Sequence, residues 1–299
     1  MKYLTILIFL VFPLASKAGS FLNWQLEKHT FTYKNKPVQI RAGYLEASSK
    51  VAFKGNILYY QGLADSMLNH DPLFQSLVNE GFRVIAFDYM GQGGSDGSMN
   101  NTTIENINIL GDQIIKRFAR KIDNKKFKYH LIGWSTGGLA AYRKAYLDKS
   151  QSLLSVTLIA PGIAPKVLVG EGLFNWPIDE ISMRSLTSNQ FIGVNDPHED
   201  PIYPNSPVCV PKFALNLQAT ALSSRDWKID EKIKGFVLLS DNKVDTYVNS
   251  ATTLKVVRKN ASHFKRITYM KTRHEIDNEF ESIAQVARND IRKFILSHN

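Results

Sequence analysis

The sequence lacks several features that would place it in a specialised protein class. Its 299 residues include a single cysteine, Cys209, so no disulfide can form within the chain, and we interpret this residue as part of the core. No low-complexity tract, heptad pattern or longer repeat divides the sequence, which excludes coiled coils and solenoids. No apolar run beyond the N-terminal segment is long enough to span a bilayer. The remaining interpretation is one large domain, for which 44% hydrophobic residues provide a core.

The N-terminal segment has the pattern of a secretory signal peptide. A lysine precedes an apolar run over residues 3–14, and the small residues Ser16 and Ala18 lie where a signal peptidase would accept them. A membrane anchor is the alternative, but the run is shorter than the ~20 residues that a bilayer span requires. We therefore expect residues 1–18 to be removed and residues 19–299 to be exported, to a periplasm or to the exterior.

The charge balance is strongly basic, with 37 lysines and arginines against 27 acidic residues and a net charge of +10. A basic protein is attracted to anionic surfaces such as phospholipid headgroups. The densest basic run, residues 116–128, lies where a predicted helix ends, a position that suits basic side chains, so we interpret it as a solvated surface. We expect peripheral contact with an anionic membrane surface and no nucleic-acid partner. The sequence leaves the oligomeric state open.

Strand patterns alternate with helix patterns along the chain. Five short apolar runs are typical of buried parallel strands: 55–60, 82–89, 127–134, 153–160 and 235–240. Two earlier segments, HTFTYK and PVQIRAGYLEA, are interpreted as antiparallel edge strands, and 102–122 and 278–299 as amphipathic helices. This alternation predicts an α/β fold with a doubly wound, mostly parallel sheet that binds ligands at the carboxyl ends of its strands.

Residues 161–230 interrupt this alternation. They carry most of the prolines and several aromatic residues, and a structureless loop of this length is improbable within a compact domain. We interpret the region as a small cap inserted above the sheet. Its acidic cluster, 195–200, is interpreted as a turn with solvated carboxylates, and a cation site is the alternative.

The stretch GWSTG, residues 133–137, lies where a strand pattern changes directly into a helix pattern. In that context G-x-S-x-G predicts a nucleophile elbow, a sharp turn that presents the hydroxyl of Ser135. The glycines leave room for the strained backbone. The amide of Thr136, at the start of the helix, would be directed toward a developing oxyanion.

A serine nucleophile needs a basic histidine and an acid that orients it, and in this kind of fold the acid precedes the histidine. His274 is the best-placed base, because it lies in a loop between a strand pattern and the closing helix. The acid is Asp241 or Asp245, which both follow the strand pattern 235–240. We favour Asp245, because apolar residues after it would dock the next helix, whereas Asp241 could cap the loop. The other histidines are less well placed: His29, His70, His130, His198, His263 and His298.

Five motifs resemble those of the serine hydrolases with the α/β-hydrolase fold: GWSTGG, QGLADS, DYMGQGGSDG, VDTYV and RHEIDNE. Over residues 38–297 the chain is similar to the serine aminopeptidase S33-type branch, which contains monoacylglycerol lipases and bacterial lysophospholipases. The resemblance implies that the backbone amide of Leu63 completes an oxyanion hole with Thr136. Gln61 stands where this family usually has histidine. It also implies that the insertion is a lid over an acyl pocket.

The resemblance further implies hydrolysis of carboxylic esters, foremost of monoacyl lipids, by a Ser-His-Asp triad without a metal or organic cofactor. We expect Phe174 and Trp176 to contact the acyl chain, and the alternative is that such aromatics form the core of the insertion. A thioesterase, acyltransferase or peptidase would use the same triad, so these activities remain open. A non-catalytic lipid-binding protein would usually have lost a triad member, and all three candidates are present. Acyl length and headgroup are not specified by the sequence.

Overall fold

The structure is a computed structural model that describes residues 22–63, 65–121, 127–150, 152–166 and 211–299. Several predicted features lie outside the described residues: the signal peptide at 1–18, Phe174, Trp176, the acidic cluster at 195–200, and Cys209. Of the predicted cap at 161–230, the described residues are 161–166 and 211–230. Within the described ranges, no helix combines the length and apolarity needed to cross a membrane.

Eight strands form one sheet. They are β1 (Gln25–Tyr33), β2 (Lys36–Leu45), β3 (Gly55–Tyr60), β4 (Phe82–Phe87), β5 (Tyr129–Trp134), β6 (Leu153–Ile159), β7 (Lys234–Leu239) and β8 (Lys265–Thr268). Their spatial order is β1-β2-β4-β3-β5-β6-β7-β8. The β1–β2 and β2–β4 pairs are antiparallel, and the other neighbours are parallel. The predicted α/β class is therefore confirmed. Of the two segments predicted as edge strands, β1 lies at the edge and β2 pairs on both sides.

Six helices accompany the sheet in the described residues. They are α1 (Asp71–Val78), α2 (Ile104–Phe118), α3 (Thr136–Leu147), α4 (Pro211–Ser223), α5 (Ser250–Asn260) and α6 (Glu281–Leu296). Helix α2 begins where the side chain of Thr103 accepts a hydrogen bond from the amide of Asn106, 3.1 Å away. Its last turn carries Lys116 and Arg117, as the helix dipole favours. The segment predicted to be helical at 102–122 thus forms a helix with shorter ends.

The core consists of two apolar layers, one on each face of the sheet. Successive residues of a strand point to opposite faces, so Leu131 of β5 packs in one layer and Ile132 in the other. Residues of α2, α3 and α5 cover the first face, and residues of α1 and α6 cover the second. Strands β3 and β5 are buried along their whole length, so packing on both faces fixes their positions. Their carboxyl ends lie side by side, and the loops that follow them start from there.

The packing of α2 on the sheet generates a stability prediction at Gly111. Replacing a helical glycine by alanine ordinarily stabilises a protein by about 1 kcal/mol. At Gly111 the added methyl group would overlap the buried side chain of Tyr60 on β3. We therefore expect Gly111→Ala to lower the free energy of unfolding by about 1–3 kcal/mol, measured by urea denaturation. Ile109→Ala, on the exposed side of the same helix, is the control and should change stability little. A more stable Gly111→Ala protein would contradict the packing.

Candidate active site

Ser135 lies at the junction of β5 and α3 with a strained backbone. Its φ is 54° and its ψ is −116°, in a region that non-glycine residues rarely adopt and that costs about 1–3 kcal/mol. The flanking glycines permit this turn. A Cβ at Gly133 would overlap the backbone of Gly137, and one at Gly137 would overlap the carbonyl groups of Tyr60 and Gln61. The predicted turn between strand and helix is therefore present at Ser135.

Backbone hydrogen bonds hold the turn from the neighbouring strand. The amide of Ser135 donates to the carbonyl oxygen of Ile159, at the end of β6, over 3.0 Å. The carbonyl oxygen of Ser135 accepts from the amides of Leu139, at 3.1 Å, and Gly162, at 2.8 Å. These three hydrogen bonds stabilise Ser135 in its strained conformation. They would be lost in a relaxed conformation, so the strained one persists.

The structure brings Ser135, His274 and Asp245 together. Nε2 of His274 lies 2.7 Å from Oγ of Ser135, and Nδ1 lies 2.9 Å from Oδ2 of Asp245. His274 and Asp245 are both buried. The imidazole lies between two aromatic rings, with centroid separations of 5.5 Å to Trp134 and 5.2 Å to Tyr247. This geometry allows a proton to pass from the hydroxyl to an imidazole that the carboxylate orients.

Asp245 is held in its ionised form. Burial alone would raise the pKa of its carboxyl group, but the charge and hydrogen bond of His274 lower it, with help from Ser240 and Val248, to about 2. Oδ1 accepts from the amides of Tyr247, at 2.7 Å, and Val248, at 3.0 Å. Oδ2 also accepts from the hydroxyl of Ser240. The carboxylate thus keeps both its charge and its orientation toward His274.

Asp241 has a different position in the same loop. Its Oδ1 accepts from the amide of Lys243, at 3.0 Å, and its Oδ2 from the amide of Lys271, at 2.9 Å. Both oxygen atoms therefore serve the backbone of the loops after β7 and β8. Of the two acids that the sequence left open, Asp245 is the one that contacts His274.

The two candidate oxyanion donors lie beside the elbow. Thr136 is the first residue of α3, so its amide is one of the four that have no acceptor within the helix. Leu63 follows β3 in the neighbouring loop, where a Cβ at the adjacent Gly62 would overlap the ring of Trp134. Close packing on Trp134 therefore sets how near this loop lies to Ser135.

Gln61 supports this loop in place of the usual histidine. Its buried side-chain amide donates to the backbone oxygen of Asp65 over 2.7 Å, and its own backbone oxygen accepts from the hydroxyl of Tyr89, also at 2.7 Å. Sequence reasoning did not identify these partners. In the sequence, Gln61 is only a departure from the family pattern, and no local pattern connects it with Tyr89.

The motif DYMGQGGSDG also serves the loop after β3. Its buried Asp88 accepts from the amide of Met67 over 2.8 Å and from the side chain of Arg41 over 2.5 Å. Arg41 donates in turn to the hydroxyl of Ser66 over 2.9 Å. These contacts join the loop after β3 to β2 and to the end of β4, so Asp88 of this motif holds the loop in place.

Lys166 connects the segment after β6 with the loop of Asp245. Its ammonium group donates to the backbone oxygens of Asn242, at 2.6 Å, and Asp245, at 2.5 Å. A backbone bridge between Pro165 and Val248 adds to the connection. The partners of Lys166 are more than 70 residues away in sequence, so no spacing pattern could have indicated them.

The family is decided by a comparison with family models. Residues 52–281, more than half of the chain, match the family described as serine aminopeptidase, S33. The chain belongs to this family. The resemblance inferred from the five motifs is thereby confirmed. A comparison with curated protein sequences finds no significant match.

Solved structures show the same fold. The monoacylglycerol lipase of Paleococcus ferrophilus is 19% identical, with a TM-score of 0.67 and coverage of 92% of this chain and 100% of that one. A soluble variant of monoglyceride lipase from Saccharomyces cerevisiae, in complex with a substrate analog, is 13% identical, with a TM-score of 0.69 and coverage of 94% and 99%. A carboxyl esterase from Bacillus coagulans in complex with glycerol is 14% identical, with a TM-score of 0.62 and coverage of 91% and 98%. The chain thus has the α/β-hydrolase fold, which these lipases and this esterase share.

Proposed function

We propose that this member of the family is a serine esterase that cleaves monoacyl lipids such as lysophospholipids or monoacylglycerols. Ser135 is the nucleophile, His274 the base and Asp245 the orienting acid. The observation that carries the proposal is the pair of hydrogen bonds in which His274 takes part, with Oγ of Ser135 at 2.7 Å from Nε2 and with Oδ2 of Asp245 at 2.9 Å from Nδ1. Such a pair activates a hydroxyl that would otherwise be a weak nucleophile.

The reaction follows the usual two stages of acyl transfer. As Oγ of Ser135 attacks the ester carbonyl, Nε2 of His274 takes its proton, and Asp245 stabilises the resulting imidazolium. The amides of Leu63 and Thr136 donate to the oxyanion, each contributing about 3–4 kcal/mol in comparable sites. His274 returns the proton to the departing alcohol and leaves an acyl group on Ser135. Water, activated by the same imidazole, then releases the fatty acid.

A lipid substrate is supported by several independent observations. Two of the structural neighbours carry monoacylglycerol or monoglyceride lipase in their names. The excess of basic over acidic residues favours contact with an anionic membrane surface, where such lipids are found. The signal-peptide pattern of residues 1–18 favours export, so the protein would act outside the cytoplasm. The family description names an aminopeptidase, so aminoacyl anilides should be assayed beside the esters. Thioesters and alternative acyl acceptors should be included to test for thioesterase and acyltransferase activity.

The role of Ser135 gives the first test of the proposal. We expect Ser135→Ala to reduce kcat on p-nitrophenyl esters and lysophospholipids by about 10⁴- to 10⁶-fold, because the proposed acyl-enzyme forms on the hydroxyl that this substitution removes. Covalent labelling by a fluorophosphonate should disappear in the same variant. Ser150→Ala, at an exposed serine on the surface, should keep both activity and labelling. Near-normal hydrolysis by Ser135→Ala would contradict the assignment.

The two aspartates of the loop after β7 give a matched pair of variants. Asp245→Asn should lower kcat by about 10⁴-fold, since an amide in that position would favour the wrong tautomer of His274. Asp241→Asn should cost far less, because this side chain bonds to backbone amides and lies apart from the imidazole. Steady-state kinetics on one soluble ester decides the ranking. The reverse ranking would transfer the role of the acid to Asp241.

A third test addresses the acyl chain. If Phe174 and Trp176 of the insertion contact the substrate, each methylene buried should contribute about 0.8 kcal/mol to binding. The value of kcat/KM should then rise along a series of monoacyl substrates, measured below their micelle-forming concentrations. The slope should flatten in a Phe174→Ala, Trp176→Ala double variant. A wild-type preference for acetyl esters would exclude the lipase-like function and indicate a hydrolase of small esters.

A further inference from the structure

A second buried histidine lies close to the candidate active site. Nε2 of His70 is 3.0 Å from Oδ2 of Asp65, and Nδ1 is 2.7 Å from Oδ2 of Asp277. His70 and Asp277 have no solvent exposure, and Asp65 has 2%. Asp277 is 207 residues from His70 in sequence, so this bridge joins two distant parts of the chain. Neither His70 nor Asp277 takes part in the reaction proposed above.

The geometry favours a proton on both ring nitrogens of His70. An ionised carboxylate can only accept hydrogen bonds, and each nitrogen faces one carboxylate oxygen. Burial alone would lower the pKa of the imidazole, but the charges and hydrogen bonds of Asp277 and Asp65 raise it to about 10. Titratable groups beside the bridge include Tyr59 on β3, whose ring centroid lies 5.1 Å from that of His70, together with Glu275, Tyr89 and the adjacent Asp71. Near neutral pH the His70 ring is therefore a buried imidazolium that lies between the carboxyl groups of Asp65 and Asp277.

One side of the bridge belongs to the loop after β3. The backbone oxygen of Asp65 accepts from the side chain of Gln61 at 2.7 Å, and its Oδ1 accepts from the side chain of Asn69 at 2.6 Å. Asp65 thus ties together the start and the end of the loop that carries Leu63. His70, which directly precedes the first residue of α1, adds a contact from its Nε2 to the carboxyl group of Asp65.

The other side of the bridge belongs to the segment that follows His274. Asp277 lies three residues after His274, in a single helical turn at Ile276–Asn278. The side chain of the next residue, Asn278, donates to the backbone oxygen of Asn69 over 3.0 Å. Two polar contacts therefore hold this segment against the loop after β3.

Trp134 connects the bridge with the elbow. Its ring centroid lies 5.3 Å from that of His70 and 5.5 Å from that of His274. Its indole nitrogen donates to the backbone oxygen of His274 over 3.1 Å. Since Trp134 directly precedes Ser135, a shift of the His70 ring would be transmitted to the elbow as well as to the loops after β3 and β8.

We infer that His70, as the imidazolium shared by Asp65 and Asp277, is a positioning residue that fixes the loop of Leu63 relative to the loop of His274. This inference rests on the proposed function for its kinetic consequence. The oxyanion forms only during the reaction, so a misplaced donor lowers kcat more than it raises KM.

The kinetic test compares two buried histidines. His70→Gln removes the charge and one of the two bridging contacts. His130→Gln is the matched control, because His130 is equally buried but bonds to Ser155 at the opposite end of β5 from Ser135. We expect His70→Gln to lower kcat on a soluble ester by about 10²-fold with a nearly unchanged KM, as displacements of about 1 Å can do. His130→Gln should keep kcat. Equal kcat values for the two variants would overturn the inference.

Hydrogen exchange of the free protein tests the bridge without any substrate. In His70→Gln, amide exchange should become faster both at residues 65–70 and at residues 274–279, while His130→Gln should leave these segments unchanged. If the wild-type protein hydrolyses no ester and is not labelled by a fluorophosphonate, the proposed function fails, and this measurement still decides whether the bridge holds the two loops. Acceleration confined to one of the segments would contradict the bridging role.

The pH dependence of stability has opposite signs for the two histidines. The folded-state pKa of His70, about 10, lies above its ordinary value of 6.5. Its stabilising contribution is therefore complete below pH 6.5 and is lost as the pH rises through 10. Burial lowers the pKa of His130 to about 4, so its contribution improves as the pH rises through that range to 6.5. Urea denaturation of wild type and both variants should show the advantage over His70→Gln decreasing from pH 6 to pH 10. A constant difference would overturn the charged bridge.

A milder variant covers the case in which His70→Gln does not fold. Asp277→Asn keeps the contact between His70 and Asp65 and removes the charge on the side of His274. We expect a smaller loss of kcat than for His70→Gln, with KM again nearly unchanged and with faster exchange at residues 274–279. Wild-type kcat together with wild-type exchange in this variant would overturn the inference.

Discussion

The left-handed backbone of Ser135 is the constraint on which the rest of the site depends. A residue with a side chain adopts a φ of 54° only where its surroundings exclude relaxed conformations. Here β5 ends, α3 begins at once, and the two glycines of the motif allow β3, β5 and α3 to approach closely. The hydroxyl is thereby presented at the edge where the loops after β3, β7 and β8 converge. A side chain from one of those loops, such as His274, can therefore contact the hydroxyl directly.

Polar contacts hold the loops that meet Ser135. Asp245 accepts hydrogen bonds from two backbone amides and a hydroxyl in addition to His274, and Asp88 joins the loop after β3 to the antiparallel strands. Buried carboxylates of this kind are tolerated only where donors surround them. The same donors make the arrangement directional, because a hydrogen bond fixes distance and angle where an apolar contact permits sliding. Burying these carboxylates therefore has a desolvation cost, and the hydrogen bonds that offset it fix the geometry of the loops.

The sequence was sufficient to predict the fold and the three side chains that meet at the elbow. Buried strands such as β3 and β5 are short, largely apolar runs, and the helix patterns between the strands follow the period of 3.6 residues. Ser135 and His274 could be located because a motif and a chain order point to them. Asp245 could be separated from Asp241 only by a weak argument about the helix that follows, and the distances now distinguish the two. Patterns along the chain therefore identify groups that belong to a local turn.

Groups that act across distant segments left no such signal. His70 appeared in the sequence as one more histidine before a helix, and its two carboxylate partners are 5 and 207 residues away. Lys166, Tyr89 and Asn278 likewise bond to backbone oxygens that no motif marks. Contacts between distant segments also explain why a glutamine is found at position 61. A glutamine can replace the usual histidine here because the loop is also held from its far end, where Asp65 receives both the amide of Gln61 and the imidazolium of His70. Support that is shared among several contacts permits one of them to change chemically while the position of the loop is retained.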